Sequence, residues 1–578
     1  MSRRRMHGLA LLLLLLFAVE LTLSVRHQSL SWDEGDHIFA GYQGWKTADF
    51  GINPEHPPLV KALATLPLLA MHLQTPAPKG LAFFKDEAYL DGRDLIYGNG
   101  GLARANQIIF RCRMSAALLS LLLGAVLYVA ALDMFGGGAA LFALALIVFE
   151  PNLIAHGAYV TTDMGVTCLM FATIYLLYRF REQPSWGRLA ALGVVTGLAL
   201  AAKHSAVLLL PIGLVLALFE LLWPASGKAR SAVARQYATA FAGAAAIGLG
   251  VLWATYGFRF SAHPGGGSMT PSLTEYIRPL HGVEAKIYLL LERWHILPES
   301  YLYGLADIRI QSVAGQSFST YLFGQVHAHG VPYYFPAAFL IKSTLGFMLL
   351  LCLAGYAVAS GKLRGRRRLY FLLIPPAVYL LIAMDTGLNI GARHILPMYP
   401  FLAVLIAGAV VALARVERRW VYVAGTLLLF HAVSSMRSYP VYLAYSNELW
   451  GGPSQTYRYL TDSNVDWGQQ LLSVKAYVDR HGIKDCWFGY FVQPSIDYHA
   501  YGIPCRQLPT ADSMWMHQQV DAPPSITGTV FVSAGTLTGY EFGSVLLSPY
   551  QPFMSVRPID TIDRGVFVYQ GTFDTTFA

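Results

Sequence analysis

Long apolar runs separated by short polar connectors make up most of the chain. The first run extends from about His7 to Val25 and follows Arg3, Arg4 and Arg5. Others start near residues 114, 139, 163, 189, 206, 237, 334, 369, 395 and 420. A membrane-crossing helix needs about 20 predominantly apolar residues, so the pattern predicts about eleven spans. The first run reads as an uncleaved span, because no small-residue cleavage site precedes Trp32-Asp33-Glu34. Two longer polar stretches, 26–112 and 258–333, interrupt the series; Gly265-Gly266-Gly267 marks a mobile point in the second. After residue 437 the pattern changes. Trp467 to His481 has the period of an amphipathic helix, while Cys486–Val492, Thr529–Ser533 and Gly565–Gly571 are rich in aromatic and β-branched residues and read as strands. The expected organisation is a mainly α, polytopic membrane domain over 1–437 and a small α/β domain over 438–578.

The basic residues give this series a direction. Alternation puts Arg3–Arg5, Arg179/Arg181/Arg188, Lys228/Arg230/Arg235, Lys362–Arg368 and Arg415/Arg418/Arg419 on one side. The 133–138 turn shares that side and is neutral to acidic. Lys and Arg enrichment marks the cytoplasmic face. The stretches 26–112, 155–163 and 258–333 and the C-terminal domain then face outward, into the periplasm if the cell is bacterial.

Composition narrows the functional classes. With 55% hydrophobic residues, 13% charged residues and a mean hydropathy of +0.44, the chain is not an ordinary soluble enzyme, a disordered protein or a coiled coil. Its formal charge of +8 follows the topology and is not a nucleic-acid footprint. The five cysteines form no CxxC pair. Cys486 and Cys505 both lie on the oxidising side, where they can pair or remain two free thiols. The cytoplasmic connectors are short and hold no phosphate-binding glycine loop. That argues against an ATP-driven transporter and against a transferase with a cytosolic nucleotide-sugar donor.

The chemistry is therefore sought on the outer face, where four constellations fall. Trp32-Asp33-Glu34-Gly35-Asp36-His37 sets two adjacent carboxylates at the end of the first span, either a solvated acidic turn or a general base with an electrostatic partner. Asn53-Pro54-Glu55-His56-Pro57-Pro58 fixes a rigid turn before an amphipathic stretch from Leu59 to Leu73 that can lie on the membrane surface; His56 and Lys61 can meet an anion there. Thr161-Thr162-Asp163 begins a span, where Thr162 or Asp163 can cap the helix. Arg111, Arg113, Lys203, His204, Arg393 and His394 put cations at outer helix ends, where such residues either snorkel or bind phosphate.

With these residues the chain resembles the polyprenyl-phosphate-dependent glycosyltransferases of the GT-C fold, and more closely the protein O-mannosyltransferase and aminoarabinose-transferase group (glycosyltransferase family 39 and relatives). The resemblance lies in Asp33-Glu34-x-x-His37, His56-Pro-Pro-Leu-Val-Lys61, Arg113, Pro151-Asn to Thr161-Thr-Asp163, Gly197 to Lys203, and Gly391-Ala-Arg-His-Ile-Leu-Pro-Met-Tyr-Pro400. Ser446-Asn-Glu-Leu-Trp-Gly-Gly452 and Asp462-Ser-Asn-Val-Asp-Trp-Gly468 look like a bacterial branch. The resemblance implies inverting transfer of a sugar from a polyprenyl phosphate to an acceptor hydroxyl of a protein or of an envelope glycan or lipid. In it Asp33 is the general base, with Glu34 beside it and Asp163 in support. Arg113, Lys203 and Arg393 bind the donor phosphate, with His394 and Lys61 assisting and His37 and His56 nearby. No cofactor is implied; related oligosaccharyltransferases use a divalent metal, but no metal-ligand cluster stands out here. The 258–333 stretch is too short for the β-trefoil of eukaryotic protein mannosyltransferases, so the acceptor stays open. A lipid-linked-substrate transporter or flippase and a non-catalytic membrane platform are the competing readings. Charges confined to one face, with no internal repeat, favour an enzyme.

Overall fold

The structure is a computed structural model. It describes all residues except 1, 78, 80–83, 225–228, 314–318, 493–495, 512, 514–519, 521, 544–547 and 576–578. Lys228, one of the basic residues used for orientation, lies outside the described residues.

The apolar runs form helices: α1 (Arg3–Val25), α5 (Gly101–Phe135), α6 (Gly137–Val148), α8 (Asp163–Glu182), α9 (Trp186–Ala202), α10 (Leu209–Leu222), α11 (Arg230–Thr255), α15 (Tyr334–Lys342), α16 (Leu345–Ala359), α17 (Arg366–Met384), α18 (Tyr399–Val416) and α19 (Arg419–Met436). Six helical stretches among the described residues are long and apolar enough to cross a membrane, and seven if the bent pair α15–α16, with its 112° break, counts as one. The chain is thus a multi-pass membrane protein. The other expected spans fall on helices too, but α6 and α9 are short, with 12 and 17 residues. α6, α8 and α18 are buried along most of their length, so their apolar character serves the packing of the bundle as much as contact with lipid.

The break between α15 and α16 frees carbonyl groups. Asn447 satisfies them: its Nδ2 donates to the carbonyls of Leu340, Ile341 and Ser343. The Ser446-to-Gly452 motif is therefore the cap of a broken helix.

Between α1 and α5 lie α2 (Glu34–Thr47), α3 (Pro58–Thr65), α4 (Phe84–Tyr97) and α7 (Pro151–His156) follows α6. α2 and α3 pack so closely that a Cβ on Gly41 would stand 2.4 Å from the Lys61 carbonyl. The 258–333 stretch carries α12 (Leu273–Tyr276), α13 (Gly282–Arg293), α14 (Glu299–Val313) and a hairpin of β1 (Thr320–Leu322) and β2 (Gln325–His327).

The C-terminal part holds α20 (Leu471–Arg480) and a mixed five-stranded sheet. Its strands are β3 (Cys486–Gly489), β4 (Cys505–Gln507), β5 (Ser525–Ser533), β6 (Asp560–Ile562) and β7 (Val566–Asp574), in the order β4-β3-β5-β7-β6. β3 runs parallel to β4 and β5; β7 is antiparallel to β5 and β6. Cys486 and Cys505 face each other across β3 and β4 and form a disulfide, which resolves the two open readings. α20 is shorter than the expected 467–481 helix. Gly468 is left-handed (φ +91°) and its N–H goes to the Asp466 carboxylate, so 467–470 is a turn.

Charged groups collect at both ends of the bundle. α8 carries Asp163 as its first residue and Arg181 in its last turn. At the Arg181 end, Glu220 bridges Arg181 and Arg367, tying together α8, α10 and α17. The opposite end holds the candidate site.

Candidate active site

α1 runs into a short loop, and Asp33 then stands at the N-cap of α2. Its side chain makes no cap hydrogen bond. The Asp33 carboxylate instead accepts from Arg393 at 2.6 Å. Thr162 at the N-cap of α8 does not cap either; its hydroxyl meets His56 Nδ1 at 3.3 Å. Asp33, read as a solvated turn or a base, and Thr162, read as a possible cap, thus both have side chains turned into one interior region.

Four charged groups form a chain there. Lys203 donates to Asp163 at 2.5 Å, Arg393 stands 3.7 Å from the other Asp163 oxygen, and Arg393 closes on Asp33. Lys203 ends α9, where the helix breaks before a short 3-10 turn. Arg393 lies in another 3-10 turn, Ala392–Met398, that leads into α18. Its loop is clamped against the C-terminal part. A Cβ on Gly391 would come within 2.1 Å of the Ser463 hydroxyl, which itself donates to the Ile390 carbonyl. Asn464 accepts from the Ala392 N–H, and its own carbonyl accepts from the buried Lys342 ammonium. The Arg393 guanidinium rests 4.2 Å from the centre of the Trp467 ring.

Several buried atoms in this region have no partner: Asp163 Oδ2, Arg393 Nε, His394 Nε2, His156 Nδ1 and Thr161 Oγ1. Buried polar groups in proteins are almost always satisfied, so orphans gathered in one place mark room for a polar ligand or water.

Glu34 and Arg113 behave differently. Arg113 Nε and Nη2 donate to the two Glu34 oxygens at 2.9 and 2.6 Å. The remaining donors go to the carbonyls of Val25, Gln28 and Ser29. An arginine has five N–H groups, and all are used. Glu34 also accepts from Ser31 and Val160. Burial works to raise the Glu34 carboxyl, but the Arg113 guanidinium and these N–H groups outweigh it and hold the carboxyl below its ordinary range. As placed, Arg113 has no N–H left to offer a donor phosphate. The Glu34 carboxylate is likewise closed off.

A third group lies beside the chain of charges. His37 Nδ1 lies 2.7 Å from the Val160 carbonyl, and its ring meets His56 edge-on at 4.4 Å. Lys61 donates to both oxygens of Asn53, and Asn53 donates to Asp36. Burial, then the nearby Asp33 and Glu55 carboxylates, push the Asp36 carboxyl well above its usual value. Burial lowers His37, and burial with neighbouring cations holds His56 well below its ordinary value. Burial also pulls the Lys61 ammonium down to about 7. His56, Asn53 and Lys61 line a cavity of about 370 Å³, whose other walls include Trp45, Leu59 and Leu63 and the residues Thr255, Tyr256 and Gly257 at the end of α11. Among the described residues, no group of three or more His, Cys, Asp or Glu side chains is arranged to hold a metal ion.

Sequence reasoning missed Asp36, His156, Asp462, Asn464 and Trp467 as part of this region. The Asp462-to-Gly468 motif was legible as a motif, but its contact with Trp32 and Arg393 was not.

The chain is also similar to known proteins. Residues 104–253 match the family model described as dolichyl-phosphate-mannose-protein mannosyltransferase. No curated protein sequence matches the chain. Among solved structures, the Saccharomyces cerevisiae Pmt1–Pmt2 protein O-mannosyltransferase complex bound to the sugar donor superposes with a TM-score of 0.52, at 11% identity, over 76% of this chain and 91% of that one. The chain has the GT-C glycosyltransferase fold. ArnT from Cupriavidus metallidurans bound to undecaprenyl phosphate covers 97% of this chain and 98% of its own, at 13% identity and a TM-score of 0.46. The Archaeoglobus fulgidus oligosaccharyltransferase AglB, in complex with an inhibitory peptide and a dolichol phosphate, covers 93% of this chain and 72% of its own, at 11% identity and a TM-score of 0.45. The resemblance drawn from the motifs thus holds for the fold, and residues 104–253 carry the family match. In this GT-C chain the charged cluster Asp33–Arg393–Asp163–Lys203 is the candidate active site.

Proposed function

We propose that the chain is a membrane glycosyltransferase that moves a sugar from a polyprenyl-phosphate donor to an acceptor hydroxyl on the extracytoplasmic face, with inversion at the anomeric carbon. The observation that carries this reading is the buried alternation of two carboxylates and two cations, with unpartnered polar atoms beside it. Such a set offers a base and an anion site within one small volume.

In this reading the acceptor oxygen attacks C1 of the sugar while the bond from C1 to the phosphate oxygen breaks. The acceptor proton passes to Asp33, and polyprenyl phosphate leaves with the bonding electron pair. Arg393, through its unpartnered Nε–H, and Lys203, through N–H groups not spent on Asp163, stabilise the charge that develops on the phosphate. Asp163 holds those two cations in place. Lys61 and His56 meet the phosphate from the side of the cavity, whose apolar walls suit the first isoprene units. His394 and His37 border the site as hydrogen-bonding groups. Glu34 and Arg113 fix the loop that presents Asp33. Protein and envelope glycan or lipid both remain acceptors compatible with this chemistry. The domain division at 437 and 438 and the periplasmic orientation belong to the same proposal.

The test is sugar transfer in proteoliposomes offered a panel of labelled polyprenyl-phosphate sugars, with free polyprenyl phosphate as the readout. Release by wild type and not by Asp33→Asn is the expected result. Release that is equal in the two proteins removes Asp33 from the base role. Transbilayer movement of an intact lipid-linked sugar, without cleavage, would replace the transferase by a flippase.

A further inference from the structure

α13 has an outward face that nothing among the described residues covers. Val283, Ile287, Leu290 and, just past the helix end, Trp294 are 74%, 50%, 52% and 68% exposed. Their spacings of four, three and four put them in one narrow stripe. The opposite face is anchored: Tyr288 is buried, and Ala285 and Leu291 pack on a cluster that includes Leu273, Leu302 and Tyr303. So α13 is apolar on two sides, and only one side is used for folding.

The charges along the stripe are not symmetric. On one flank Glu284 is tied to Arg309. On the other, Lys286 and Arg293 are exposed and make no ion pair among the described residues. The uncommitted charge beside the apolar stripe is therefore basic. The height of the helix is also set. Trp253, in the last turn of the membrane-crossing α11, donates its indole N–H to the Ile296 carbonyl at 3.0 Å. Phe258, between them, is 71% exposed. Trp253, Phe258 and Trp294 thus collect at the outer end of a lipid-facing helix, the level where aromatic residues concentrate in membrane proteins.

We infer that α13 rests on the outer leaflet of the bilayer, with Val283, Ile287, Leu290 and Trp294 at the boundary of headgroups and acyl chains and with Lys286 and Arg293 reaching anionic headgroups. The stripe continues the lipid-facing surface of α11, and its free charges complement an anionic membrane. Thr255, Tyr256 and Gly257, at the end of α11, line the cavity beside Lys61. Docking of α13 therefore holds the mouth of that cavity at leaflet level.

The experiment places an environment-sensitive dye on Leu290→Cys in the full chain in nanodiscs of phosphatidylcholine with and without phosphatidylglycerol. Cys352 is replaced by Ser because it is the exposed free cysteine; Cys112 and Cys168 are buried. The expected dye is quenched by brominated lipid, shielded from iodide, and more strongly so with phosphatidylglycerol. A dye open to iodide and untouched by brominated lipid overturns the inference. A dye shielded from both, released on dilution, assigns the stripe to a second copy and overturns it too. A second arm rests on the lipid-linked donor proposed above: Ile287→Glu raises the apparent KM for that donor about tenfold at unchanged kcat. An unchanged KM breaks the link to the cavity mouth. The dye result decides the docking of α13 even if no polyprenyl donor is turned over.

Discussion

Arg113 and Arg393 are both buried, both bonded to a carboxylate of the Asp33–Glu34 pair, and both set against an aromatic ring, Tyr159 and Trp467 respectively. They differ in what is left over. Arg113 spends every N–H on Glu34 and on three carbonyls of the loop after α1. Arg393 keeps Nε unpartnered and shares its charge between Asp33 and Asp163. A saturated arginine is a joint, and an unsaturated one beside two carboxylates is a place for an anion. Sequence position alone ranks the two equally, so the hydrogen-bond count separates them.

The sharpest way to test this contrast is at the carboxylates. Asp33→Asn is expected to lower transfer by about 10²- to 10⁴-fold, the usual worth of a general base. The variant should reach the membrane in normal amount, because Asp33 caps no helix and the amide keeps its shape. Proteoliposome turnover alongside a thermal unfolding curve measures both. Next comes the open arginine. Arg393→Lys keeps a charge but loses the fork, and a drop in kcat of about 10²- to 10³-fold is expected, the cost of removing one oriented donor from a transition state. A loss confined to KM would mean that Arg393 serves ground-state binding only.

The closed arginine should respond in the opposite way. Glu34→Gln leaves the Arg113 charge buried without a counter-ion, which costs about 3–5 kcal/mol of stability. Unfolding in detergent should shift accordingly, while transfer per folded molecule stays within a few-fold of wild type. If Glu34→Gln instead folds normally and loses turnover, Glu34 belongs with Asp33 in the chemistry.

Why the sequence could not separate these residues is a matter of helix geometry. Asp33 and Glu34 are neighbours at the start of α2, and neighbouring side chains on a helix do not face the same way. One is turned to Arg393, the other to Arg113. The apolar runs were legible because each is local, and every expected span start falls on a helix. The burial of α6, α8 and α18 was not, since period and hydropathy do not distinguish lipid from protein as a neighbour. The Asp462-to-Gly468 turn shows the same limit at the site. Its residues reach Ser29, Trp32, Ala392 and Arg393 through contacts between distant parts of the chain, such as Trp32 N–H to the Trp467 carbonyl. Nothing in the motif's own spacing encodes them. The β3 and β5 strands were read from their aromatic and β-branched content, whereas the three-residue β4 and β6 were missed because so short a strand carries no period.

The smallest expected effect concerns Lys61, which belongs to neither arginine. Burial holds its ammonium at about 7, against the pull of Asp36 and Glu55, and among the described residues it bonds to neutral oxygens of Asn53. The unfolded value is about 10.4, so the folded chain resists the proton; stability should fall as pH drops from about 10.4 towards 7 and level off below. A donor phosphate reverses the balance, since it favours the charged form and brings a proton with it. The donor should therefore bind more weakly as pH rises through 7. From about pH 6 to about pH 8 its KM is expected to increase roughly tenfold, the limit for uptake of one proton. Lys61→Arg, charged throughout this range, should flatten that dependence while leaving the Arg113 joint and the unfolding curve of Glu34→Gln as they were. A KM profile that keeps its slope in Lys61→Arg would place the titrating group elsewhere and leave Arg393 and Lys203 as the whole of the anion site.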